Sequence, residues 1–103
     1  SEAAIDGSKK GSLYSAAKFG LRGFSQAIRK ESSHRNIRVC LINPGMVRTP
    51  FFNELNFSPG DDASNAIHPN DVAELVQSIL SSREGTVFDE INLSPLKKVI
   101  KST

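Results

Sequence analysis

Ala17, Leu21, Phe24 and Ile28 recur at alternating steps of four and three residues, the spacing of one face of an α-helix. They predict a long helix from residue 12 to about residue 34, with Ser12 as its N-cap. Ahead of it, residues 2–11 are polar and glycine-bearing, ending in Gly7-Ser-Lys-Lys-Gly11, and read as a loop. Residues 37–43, Ile-Arg-Val-Cys-Leu-Ile-Asn, are β-branched and nearly continuously apolar, which suits a strand covered on both faces in a parallel sheet. Asn43-Pro44-Gly45 stops that strand. A second helix begins with Pro69 at its first position and carries Asp71 and Glu74 in its first turn, where the helix dipole favours acids. Val72, Leu75, Val76, Ile79 and Leu80 form its core-facing stripe, and Gly85 is expected to end it. A last strand is expected over residues 87–93, closing at Pro95.

The order helix, strand, helix, strand predicts an α/β fold: a parallel β-α-β unit with a leading helix, the C-terminal part of a Rossmann-like, doubly wound parallel sheet. Two strands are too few to stand alone, and the first would leave an unpaired edge. Gly20 and Gly23 each cost roughly 1 kcal/mol against alanine inside the long helix. With Ala16 and Ala27 they leave a shallow strip, either tolerated or used for close approach of another helix or a cofactor. Residues 46–67 form a polar, irregular segment containing Phe51, Phe52, Leu55 and Phe57. These apolar side chains either pack as a small cluster under the loop or line a lid over a substrate.

Composition narrows the field. The 103 residues suffice for one small domain, and 13 basic against 11 acidic residues leave a net charge of +2, too little to argue for nucleic acid as a partner. Lys97, Lys98 and Lys101 form a basic tail, expected to be a solvated terminus. The single cysteine, Cys40, sits in an apolar run where a reduced, buried thiol is expected, and a cytoplasmic location follows. No apolar stretch approaches the roughly 20 residues of a membrane span, so no membrane partner is expected. Asp61-Asp62, after Pro59-Gly60, reads as a turn and not a metal site. His34 and His68 read as surface and helix-boundary residues.

The candidate chemistry lies in Ser12-Leu-Tyr-Ser-Ala-Ala-Lys-Phe-Gly-Leu21. Tyr14 and Lys18, four residues apart on the predicted helix, project from one face a turn apart. An ammonium about 4 Å from a phenol oxygen, at an effective dielectric of about 20, favours the phenolate by roughly 4 kcal/mol before desolvation is subtracted. That is enough to bring a group of ordinary pKa near 10 towards the range of a general acid/base. A tyrosine at the core edge beside a solvated lysine is the alternative reading, and the pair by itself does not separate the two.

Two further features bear on the choice. Ser1 lies thirteen residues before Tyr14, and the strand after the helix ends in Asn43-Pro-Gly-Met-Val-Arg-Thr49. Together these resemble the short-chain dehydrogenase/reductase family, over essentially the whole chain to Asp89-Glu-Ile-Asn-Leu-Ser-Pro95. The resemblance implies that Ser1 hydrogen-bonds the substrate oxygen, that Tyr14 passes a proton to or from it, and that Lys18 holds the nicotinamide ribose and lowers the tyrosine pKa. It further implies a cofactor set of Tyr14, Lys18, Pro44, Gly45, Val47 and Thr49, with Thr49 hydrogen-bonding the nicotinamide carboxamide. The activity implied is NAD- or NADP-dependent interconversion of a secondary alcohol and a carbonyl. The helix of Tyr14 and Lys18 is implied as the contact of a homodimer or homotetramer, and residues 46–67 as a substrate lid.

The family's glycine-rich phosphate-binding turn is not in the chain: its glycines are scattered at 7, 11, 20, 23, 45, 60 and 85. Residues 1–103 are therefore expected to be the C-terminal catalytic half of one domain, needing an N-terminal dinucleotide-binding half. Two other readings stay open. One is a non-catalytic piece acting as a dimerisation or binding module; the other is an epimerase or dehydratase of the same superfamily.

Overall fold

The computed structural model describes residues 1 and 11–102. The loop expected over residues 2–11 lies outside these, Gly11 excepted. The chain divides into two compact units, Ser1–Asn43 with Arg83–Asn92, and Pro44–Ser82 with Leu93–Thr103.

The first unit is built on helix α1, Ser12–Ser32. Its N-cap is Gly11, with no side-chain capping bond, so Ser12 is the first helical residue and not the cap. The helix leaves through a 3-10 turn, Ser33–Arg35, and stops at Asn36, whose φ of 61° lies in the left-handed region. Asparagine tolerates that conformation, and its N–H donates to the Ser33 carbonyl. Ser15 is buried and Lys18, Arg22, Ser25 and Arg29 are half-buried, whereas Ala17 is exposed, Leu21 is 52% exposed and Phe24 62%. The polar stripe is drawn inward by ion pairs: Arg22 Nε meets Glu90 Oε2 at 2.8 Å and Arg29 Nε meets Asp89 Oδ1 at 3.5 Å. Gly20 and Gly23 face open space.

Strand β1 spans Leu41–Pro44, shorter than expected and displaced toward the turn. It pairs with β3, Glu90–Leu93, in a two-stranded sheet, and β3 is in turn shorter than the expected residues 87–93. Leu41 N–H donates to Asp89 O at 3.1 Å, and four residues further along both chains Gly45 N–H donates to Leu93 O at 2.8 Å. Advance in the same direction makes the pair parallel. Cys40 is half-buried, and that burial, with the nearby Asp89 carboxylate, pushes its thiol pKa up.

The second unit is tied at the neck of the 46–67 segment. Val47 and Ile67 form a parallel bridge, with Ile67 N–H donating to Met46 O at 2.8 Å and Arg48 N–H to Ile67 O at 2.9 Å. Met46 and Ile67 are the buried hydrophobic residues of the described chain. The segment is less irregular than expected. It contains short 3-10 helices at Pro50–Phe52 and Ala63–Asn65, and strand β2, Phe57–Pro59. Phe52 packs edge-on against Phe51 and Phe57, with ring centroids 5.1 and 5.8 Å apart.

The basic tail is not a free terminus. Ile100–Ser102 forms strand β4, antiparallel to β2, with Ser58 opposite Lys101. Lys101 Nζ meets Asp61 Oδ1 at 2.6 Å, which holds the Asp61 carboxyl below its usual range. Asn65, buried, donates from Nδ2 to Lys97 O at 2.8 Å and accepts from Asp62 N–H at 3.0 Å. These bonds fold the tail onto the turn at Gly60, where a Cβ would stand 2.5 Å from Asn65 Oδ1 and 2.9 Å from Val99 Cγ1. In the full-length protein Gly60→Ala is therefore expected to destabilise the fold by about 1–3 kcal/mol, read as a lower denaturation midpoint at unchanged m-value.

Helix α2, Pro69–Leu80, starts where expected. His68 caps it, Nδ1 accepting from Asn70 N–H at 3.1 Å while Asp71 Oδ2 accepts from His68 N–H at 3.0 Å. The helix ends at Leu80, not at Gly85, because the Ser81 hydroxyl donates to Gln77 O and the Ser82 hydroxyl to Ile79 O, taking up the last carbonyls. Val72, Leu75 and Ile79 of its stripe are half-buried; Val76 and Leu80 are exposed. Among the described residues no helix is long and apolar enough to cross a membrane.

Candidate active site

Tyr14 and Lys18 sit in the first two turns of α1, where the helical repeat stacks them. Lys18 Nζ lies over the Tyr14 ring, 5.2 Å from its centroid, a cation–π contact. Tyr14 is 49% exposed and Lys18 half-buried.

Ser1, in the same unit, is half-buried, and its backbone nitrogen lies 3.4 Å from Asn43 Oδ1. Asn43, on β1 and 1% exposed, is the largest fully buried side chain among the described residues. Its Nδ2 donates to Glu90 Oε2 at 2.6 Å and to Asn92 Oδ1 at 3.0 Å. Glu90 also receives Arg22, from Nε at 2.8 Å and Nη2 at 3.0 Å. Sequence reasoning missed Arg22, Asn43 and Glu90 as a group. The one local signal is that Arg22 continues the Tyr14, Lys18 spacing by another four residues; Glu90 is 68 positions away.

Arg22, and to a lesser degree Asn43, hold the Glu90 carboxyl below its usual range. A carboxyl depressed on folding adds stability above its unfolded pKa, and that stability is lost as pH falls through the folded value. Acid lability below about pH 4 is therefore expected to be blunted in Glu90→Gln, since the glutamine has no proton to bind. Thermal melts of the full-length protein and its Glu90→Gln variant across that range check it.

The remaining candidates belong to the second unit and are contiguous in the chain. Pro44 closes β1, Gly45 N–H donates to Leu93 O at 2.8 Å, and Val47 forms the bridge to Ile67. Thr49, with extended backbone, is the N-cap of the turn Pro50–Phe52, and its Oγ1 accepts from Phe51 N–H at 3.4 Å. The hydroxyl hydrogen is left to donate outward. Thr49 also lines a cavity of about 210 Å³ with Arg48, Phe52, Ser58, Asp61 and Lys101. Arg48 spans its turn by donating from Nη2 to Gly60 O at 2.7 Å and Asp62 O at 3.1 Å.

Among the described residues no three histidine, cysteine or acidic side chains gather as metal ligands.

The chain is similar to known proteins over most of its length. The chain is 31% identical over 88 residues to an uncharacterized oxidoreductase of Staphylococcus saprophyticus, covering 85% of this chain and 36% of that protein. It is 31% identical over 91 residues to an NADP-dependent 3-hydroxy acid dehydrogenase of Schizosaccharomyces pombe, covering 82% and 35%. The chain thus spans about a third of the length of the curated relatives it matches. A mutant 4-hydroxyisoleucine dehydrogenase solved with NADH and succinate superposes with a TM-score of 0.75 at 20% identity, over 92% of this chain and 43% of that one. At that identity the match shows the fold: an α/β portion of a Rossmann-like sheet. A family model described as short chain dehydrogenase matches residues 1–59, more than half of the chain. The chain belongs to the short-chain dehydrogenase/reductase family of oxidoreductases.

Proposed function

We propose that the chain is the C-terminal catalytic portion of an NAD- or NADP-dependent reductase or dehydrogenase that interconverts a secondary alcohol and a carbonyl, with Tyr14 as general acid/base. The observation that carries this is the Tyr14–Lys18 pair on α1, with the lysine ammonium 5.2 Å over the ring and the phenol half exposed. The donors suit the nicotinamide end of such a cofactor. Lys18 has no carboxylate partner among the described residues, so its ammonium protons are available to ribose hydroxyls. The free hydroxyl hydrogen of Thr49 suits the carboxamide oxygen, and Pro44, Gly45 and Val47 form the backbone leading to it. When bound, the nicotinamide supplies or accepts the hydride.

In the reducing direction the Ser1 hydroxyl donates a hydrogen bond to the substrate oxygen and holds it for Tyr14. The Tyr14 hydroxyl gives its proton to that oxygen as the carbonyl becomes an alcohol. The Lys18 charge stabilises the phenolate left behind, and the proton returns from solvent. In the oxidising direction Tyr14 takes the proton instead. Residues 46–67 close over a small-molecule substrate, their aromatic cluster supplying the apolar side of a lid. The open apolar face of α1 around Gly20 and Gly23 is the surface on which a second copy docks.

Lys18→Ala in the full-length protein tests the double role of the lysine. Turnover and cofactor affinity should both fall at least about tenfold, the affinity followed by quenching of reduced-nicotinamide fluorescence. Unchanged affinity would remove Lys18 from the cofactor set.

A further inference from the structure

We propose that Arg22, Glu90 and Asn43 are positioning residues that set the attitude of the Tyr14 helix and the seat of Ser1; this rests on the reading of Tyr14 as proton donor. Arg22 lies one turn beyond Lys18 and two beyond Tyr14, on the same face of α1. Its guanidinium grips Glu90 through two parallel bonds, 2.8 Å from Nε to Oε2 and 3.0 Å from Nη2 to Oε1. A planar fork on a carboxylate fixes direction as well as distance, so it resists rotation of α1 about its axis as well as its withdrawal from β3.

The carboxylate is shared. Glu90 Oε2 also accepts from Asn43 Nδ2 at 2.6 Å, and the other end of that buried amide faces the Ser1 backbone nitrogen at 3.4 Å. One hydrogen-bonded chain therefore runs from the helix bearing Tyr14, through β3 and β1, to the residue bearing the substrate-binding hydroxyl. Asn43 is 1% exposed and engaged at both ends, so turning its amide would strand polar atoms in the interior. What the chain provides is orientation, and a shift of about 1 Å at reacting groups costs on the order of 100-fold in rate.

The test is steady-state reduction, by the full-length protein with NADH and NADPH, of a small carbonyl compound that the unsubstituted protein turns over, for Glu90→Gln, Arg22→Lys and Tyr14→Phe, and for Glu90→Gln combined with Tyr14→Phe. Glu90→Gln keeps an acceptor for Asn43 and loses the charged grip on Arg22. Arg22→Lys keeps the charge and loses the fork, and serves if Glu90→Gln does not fold, as judged by thermal melt. The expected result is a kcat lowered about 10- to 100-fold in both single variants with cofactor KM within a few-fold. Glu90→Gln should then have no further effect in the Tyr14→Phe background, because a misplaced group that is already gone costs nothing more. Full kcat in either positioning variant, with Tyr14→Phe inactive, overturns the proposal. So does an equal further loss in the double variant, which assigns Glu90 a merely structural role. Full turnover in Tyr14→Phe instead overturns the proton-donor reading itself and is seen separately.

Discussion

Tyr14→Phe in the full-length protein is expected to lower carbonyl reduction by about 10²- to 10⁴-fold, the usual range for removing a positioned general acid. Cofactor affinity should stay within a few-fold. The substitution deletes one hydroxyl and leaves the ring on which the Lys18 ammonium rests, so the cation–π contact at 5.2 Å survives. Tyr14 is 49% exposed, so no buried cavity or orphaned donor is created, and the melting temperature should not move appreciably. The signature is thus a loss in kcat with little change in cofactor binding. It separates Tyr14 from Lys18, whose removal should damage both. Near-full turnover by Tyr14→Phe would exclude the tyrosine from proton transfer.

The second large effect concerns residues 1–103 on their own. Expressed alone, they are expected to show no dehydrogenase activity, no tight binding of NAD or NADP, and no cooperative melt as a monomer. Met46 and Ile67 are the buried hydrophobic residues among those described, whereas Leu13 is 87% exposed, Leu96 86%, Leu80 73% and Phe24 62%. Each such side chain would contribute roughly 1.5–3 kcal/mol if covered, comparable in sum with the 5–15 kcal/mol that holds a whole domain. Both sheets have two strands, and such pairs are marginal without neighbours. The proposed nicotinamide-side donors Lys18 and Thr49 also lack, within this sequence, a glycine-rich turn to anchor the pyrophosphate. Isothermal titration with both cofactors, a thermal melt and a sedimentation run check the three parts together. Tight binding and a sharp melt from a monomer would refute the expectation.

Where the sequence sufficed, the physics was local. Tyr14 and Lys18 are four apart, and any helix through them stacks one on the other, so the pair was legible before a fold was known. The start of α2 was equally legible, because Pro69 and Asp71 act within a single turn. Periodicity, however, says which residues share a face and not which face turns inward. On α1 that was settled by Glu90 and Asp89, 68 and 60 positions from the arginines they engage, which drew the polar stripe in and left Leu21 and Phe24 out. The tail was misread for the same reason. Lys97, Lys98 and Lys101 look solvated by composition, and only the distant partners Phe57–Pro59, Asp61 and Asn65 make them a strand and its approach. Asn43 reads as the last letter of an apolar strand; its place between Ser1, Glu90 and Asn92 exists only once β1 and β3 lie side by side. Residue types and short spacings determined the candidate chemistry, and tertiary pairing alone decided what holds it in place, because hydrogen bonds and ion pairs act across space without regard to distance along the chain.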